Sequence, residues 1–261
     1  MKVRKMCFVL AVLMIASVFA AGCGQIAAEP IVSPAAAEET PLSPEPTAQA
    51  EEKKELPPPP DIDIDSWEYL YAGVVCGVSR YHPSVRNIED QLLDSRMTSA
   101  TQAFLDAARA EGYKVWIGVG YRNFEYTSYW FADAMNDYGG SYEAAQVDYI
   151  FPAGCTEHST GLAIDITDEF DLAANYYNMH DETVKDTEVY KWMAEHCAEY
   201  GFIVRYPEGK EDYYVKACYP GHFRYVGVEA AEYIMENDLC FEEFLNLYPD
   251  KKLHVTFGPE A

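Results

Sequence analysis

Glu157-His158-Ser159-Thr160-Gly161-Leu162-Ala163-Ile164-Asp165 is the most informative stretch of this chain. Gly161 permits a tight turn after His158, and the apolar run that follows predicts a buried strand over 162–166. Asp165 would then project from a strand interior, where a carboxylate is costly unless it is paired. The spacing from His158 to Asp165 is too long for adjacent helical turns. It suits a loop ligand and a strand ligand meeting at one ion. A second histidine stands in Pro220-Gly221-His222-Phe223-Arg224-Tyr225, where another strand is expected over 223–226. Two imidazoles and one carboxylate, His158, Asp165 and His222, are the ligand set of a catalytic zinc with an open fourth position.

The pattern around these segments predicts alternating helices and strands. Phe104, Ala107 and Ala108 form an apolar stripe on a helix over 98–111 that Gly112 stops. Val115, Ile117 and Val119 alternate as a strand ending near Gly120-Tyr121-Arg122. Residues 133–149 read as mixed, with a break at Gly139-Gly140 and a short helix from Tyr142. A helix over 188–200 presents Val189, Trp192, Met193 and Tyr200 on one face and ends at Gly201. A strand over 202–206 and helices over 228–235 and 241–247 complete the set. No steady βαβ rhythm is present, so the fold class is α+β.

The N-terminus predicts export. Lys2, Arg4 and Lys5 precede an apolar run from Cys7 to Phe19 and then Ala20-Ala21-Gly22-Cys23. This reads as a lipoprotein signal over 1–22, with lipid carried on Cys23 and the protein anchored on the outer face of a bacterial cell membrane. The other reading is an ordinary secretory signal. Residues 24–60 hold nine of the fifteen prolines and no aromatic residue, a composition that cannot bury a core. Residues 23–60 are therefore expected to be a lipid anchor and tether before a folded domain over 61–261. The formal net charge is −24, and loss of residues 1–22 makes the chain more acidic still, which argues against nucleic acid as a partner. The seven cysteines leave Cys155 and Cys218 close in sequence to His158 and His222. A Cys155–Cys218 disulfide, buried thiols and sulfur ligation of the metal all remain open.

These motifs resemble the zinc D-alanyl-D-alanine carboxypeptidases of the VanY type. Their pattern Ser-x-His-x-x-Gly-x-Ala-x-Asp corresponds to Thr156 through Asp165, and their Glu-Pro-Trp-His-Phe-Arg-Tyr-Val-Gly to the segment ending His222-Phe223-Arg224-Tyr225-Val226-Gly227. Gly120-Tyr121-Arg122 and residues 200–207 also look like family segments, so the resemblance spans about residues 67–247. It implies Zn2+ held by His158, Asp165 and His222, with Arg122 as the positive group facing substrate. It also implies a compact α+β domain with the zinc on a small antiparallel sheet flanked by helices. The substrate implied is a peptidoglycan stem peptide ending in D-Ala.

One departure matters chemically. The family's general-base glutamate lies three residues before the last histidine, and here that position is Tyr219. A tyrosine side chain ordinarily titrates near pH 10, so it donates rather than accepts a proton at neutral pH. Gly221 also replaces the family's tryptophan. Glu157, Glu211 and Asp212 are the carboxylates that could take over the water; the bland reading is surface charge, or for Glu157 a bond to a ligand. Three functions follow: a zinc D,D-carboxypeptidase, an impaired homologue that binds cell-wall peptides without cutting them, or a structural zinc domain using Cys155 or Cys218.

Overall fold

The computed structural model describes residues 55–73, 78, 81–142, 151–167, 182–214 and 219–250. Strands β1 (Val85–Ile88) and β2 (Gln91–Asp94) pair as an antiparallel hairpin. A four-stranded sheet contains β3 (Trp116–Val119), β4 (Ala163–Thr167), β5 (Phe202–Val204) and β6 (His222–Tyr225), in the order β3-β4-β6-β5. Every neighbouring pair in it is antiparallel.

Side chains alternate across a strand, and here the alternation separates core from chemistry. Ile117, Ile164, Ile166, Phe202, Val204 and Phe223 join one buried cluster. Two helices cover that face: α1 (Thr98–Ala110) contributes Phe104, Leu105 and Ala108, and α3 (Glu188–His196) contributes Met193. The opposite face carries Asp165, His222, Arg224 and Ile203. Ile203 packs with Ala230, Ala231 and Ile234 of α4 (Val228–Glu236) and with Phe241 and Phe244 of α5 (Phe241–Asn246). The α+β class and the antiparallel sheet therefore match the expectation.

Other details differ. The helix expected over 188–200 tightens into a 3-10 turn at Cys197–Tyr200 before Gly201 adopts φ 80°. A helix α2 (Phe124–Asp137) occupies a region in which the sequence pattern gives no clean apolar stripe. Its aromatic residues are weak helix formers, but Asn123 caps it by accepting from the Tyr126 N–H at 2.8 Å. The β1–β2 hairpin was equally silent. Its turn places Glu89 and Asp90 at φ 50° and 66°, conformations usually signalled by Asn-Gly, and Arg109 holds Glu89 at 2.6 Å. The short helix expected from Tyr142 lies mostly outside the described residues, as do residues 1–54 and Cys218.

Phe104 is fully buried, stacks at 5.3 and 5.4 Å on Tyr200 and Phe202, and meets Phe223 edge-on at 5.7 Å. Phe104→Ala should cost about 3–5 kcal/mol, measurable as a lowered urea midpoint of the metal-free protein.

Candidate metal centre

The His158 loop is held by local bonds. Glu157–Thr160 forms a 3-10 turn closed by Gly161 at φ 76°, a conformation that favours glycine. Thr160 Oγ1 donates to Glu157 O at 2.6 Å and accepts from the Leu162 N–H at 3.0 Å. From outside, the Asp94 N–H donates to Gly161 O and the Arg122 N–H to His158 O, each at 3.0 Å. These bonds fix His158 at the entry to β4.

Strand register supplies the other two donors. Asp165 of β4 lies directly opposite His222 of β6. His222 Nδ1 is 2.7 Å from Asp165 Oδ1, and His158 Nε2 is 3.2 Å from Asp165 Oδ2. The imidazole planes are nearly perpendicular, 5.0 Å apart. All three residues are buried, with donor atoms within 4.8 Å of one another. This nitrogen–oxygen set suits a small divalent transition metal. Burial, with His222 and Arg122 nearby, lowers the His158 pKa, favouring the neutral imidazole that a metal requires. Although burial opposes its charge, Asp165 is held well below the usual carboxylate range by the two histidines.

Glu157 joins this centre to a buried ionic chain. Its Oε1 accepts from Arg205 Nε at 2.7 Å and from Arg224 Nη1 at 2.9 Å. Its Oε2 faces His222 Nε2 at 3.4 Å. Arg205 also grips Glu242 through both terminal nitrogens, at 2.9 and 2.6 Å. Arg224 donates to the carbonyls of Glu68 and Leu70 at 2.9 and 2.7 Å. Burial would raise the Glu157 pKa, but the two guanidiniums outweigh it and hold the group well below the carboxylate range.

The remaining candidates fall into place around this centre. Tyr219 is buried, and its hydroxyl donates to Asp165 Oδ2 at 2.9 Å. Arg122 is partly exposed, its guanidinium about 6 Å from the Tyr126 and Trp130 rings. It lines a cleft of about 410 Å³ with Gln91, Leu92, Val119, Tyr121 and Tyr126. Val119 pairs with Asp165, so the cleft abuts the ligand row. Glu211 and Asp212 are exposed, and Glu211 accepts from the Gly209 N–H at 3.1 Å. Cys155 is a free, half-buried thiol. Among the described residues, the donor set that comes together contains no sulfur. Sequence reasoning overlooked Arg205 and Glu242; an arginine inside the apolar run from Phe202 to Tyr206 was the available signal for the first.

An antiparallel sheet carrying a His–Asp–His cluster beside an arginine-lined cleft defines a metallopeptidase-like site. The chain belongs to the VanY family of D-alanyl-D-alanine carboxypeptidases, whose pattern matches residues 90–228. It is 34% identical over 160 residues to a D-alanyl-D-alanine carboxypeptidase of Enterococcus faecalis (strain ATCC 700802 / V583), covering 59% of this chain and 56% of that one. The chain thus spans about half the length of the curated relatives it matches. Among solved structures it resembles a variant of the vancomycin-resistance D,D-pentapeptidase VanY in complex with Zn(II). That likeness has TM-score 0.57 and 30% identity, over 69% of this chain and 100% of that one. It also resembles the LD-carboxypeptidase LdcB, with TM-score 0.56 and 31% identity, over 65% of this chain and 80% of that one.

Arg205→Met should leave Glu157 and Glu242 sharing too little positive charge in a buried site. The expected loss is about 3–5 kcal/mol, read from urea unfolding of the metal-free chain.

Proposed function

We propose that this chain is a zinc-dependent D,D-carboxypeptidase acting on peptidoglycan stem peptides that end in D-Ala. The observation that carries this reading is the convergence of His158, Asp165 and His222, with Asp165 and His222 in strand register, in a chain of this family. His158 Nε2, Asp165 and His222 Nδ1 would hold the ion. Zinc, when bound, polarises a substrate carbonyl and acidifies water.

The chain's own residues supply the rest. Glu157 Oε2 lies 3.4 Å from His222 Nε2 and would accept its N–H when Nδ1 holds the ion, keeping that ring with Nδ1 towards Asp165, the usual arrangement behind a ligating histidine. With its other oxygen held by two arginines, Glu157 is a poor acceptor for a proton from water. Arg122 borders the cleft beside the ligand row, where its charge can pair with the terminal carboxylate of a peptide. Tyr219 presents a donor where the family has a base. This favours a slow enzyme, and the binding-only alternative rests on the same residue.

Metal analysis after loading should show about one zinc per chain, lost in His158→Ala and His222→Ala. The loaded protein should release D-Ala from a D-Ala-D-Ala-ended peptide, and Tyr219→Glu, compared at saturating zinc, should raise the rate by about 10²-fold, the scale of one general base. A zinc-loaded chain that binds the peptide without releasing D-Ala, even after Tyr219→Glu, makes it a binder.

The location follows from residues 1–60, which we read as a lipoprotein signal, lipid on Cys23 and a tether towards the cell wall. Among the described residues no helix is long and apolar enough to cross a membrane. The mature chain should begin at Cys23 and sediment with membranes. Cys23→Ser should abolish lipid labelling, and any other mature N-terminus rules out this anchor.

A further inference from the structure

We propose that Tyr219 is a positioning residue for the metal-ligating carboxylate: its buried hydroxyl holds Asp165 in the orientation that serves both histidines. This inference rests on the zinc reading above and gives Tyr219 a task other than that of a missing base. The Tyr219 hydroxyl donates to Asp165 Oδ2 at 2.9 Å, and the same oxygen lies 3.2 Å from His158 Nε2. The other oxygen, Oδ1, lies 2.7 Å from His222 Nδ1. A carboxylate rotates easily about its last bond, and three partners around its two oxygens set that rotation.

Tyr219 is itself rigidly placed. It is 4% exposed. Its ring lies parallel to Tyr206, 8° between planes at 6.4 Å, and stacks at 26° and 5.3 Å on the ligand His222. Its N–H donates to Tyr206 O at 3.3 Å, and its carbonyl accepts from the His222 N–H at 3.2 Å. Ring and backbone thus aim the hydroxyl at Asp165. A hydroxyl engaged in this way does not accept a proton from water, and among the described residues the donor cluster contains no carboxylate besides Asp165. The chain therefore has an orienting donor at the position where its relatives' pattern has a base.

The test is zinc affinity, measured on the full chain by competition with a chromogenic chelator. Tyr219→Phe removes only the hydroxyl and should bind zinc about 10–100-fold more weakly, the usual cost of losing a group that orients a ligand. Equal affinities in the two proteins, whatever happens to metal-free stability, would overturn the proposal and leave the zinc reading standing. Absence of zinc binding by the unmutated chain would overturn both. A second measurement uses copper(II): the loaded unmutated chain should lack a phenolate-to-copper charge-transfer band. Such a band, if lost in Tyr219→Phe, would make Tyr219 a ligand itself and overturn the positioning role.

Discussion

The Glu157 carboxylate, buried between Arg205 and Arg224, is the interaction on which the site face of the sheet depends. An isolated charge in such a place would be prohibitive. Here Arg224, Glu157, Arg205 and Glu242 form a charge-balanced chain, so the ionic layer survives burial. The chain also ties distant segments together: the carbonyls of Glu68 and Leu70 at one end, α5 at the other, and β6 between them. Such pairs contribute little net stability compared with apolar packing, but losing one member is costly. Their consequence is geometric, because the free oxygen of Glu157 ends beside His222 Nε2.

Strand alternation explains how a small sheet holds both a dry core and this polar layer. Ile164 and Phe223 point towards α1 and α3, while Asp165 and His222, one residue along, point the other way. A one-residue slip between β4 and β6 would separate the two ligands, so core packing and metal-site geometry are specified by the same register. Phe104 and its aromatic neighbours thus bear on the chemistry without touching it.

Tyr219 places a hydroxyl donor against Asp165, while Glu157 backs His222 from the other side. Lewis acidity and proton handling are separable parts of hydrolysis. A chain can keep the first and be weak in the second.

The sequence by itself determined the donor residues, the turn at Gly161, the alternation of β4 and β6 and most helices, because these are local patterns of polarity and backbone freedom. It left α2 and the β1–β2 hairpin unread, since neither carries the apolar stripe or the Asn-Gly turn that normally marks such elements. Only the tertiary structure decided that Asp165 faces His222, that Glu157 belongs to two arginines and that Tyr219 bonds to Asp165. Those partners lie 48 to 67 residues apart, and no local pattern encodes a contact that forms only when strands pair and close over a buried charge.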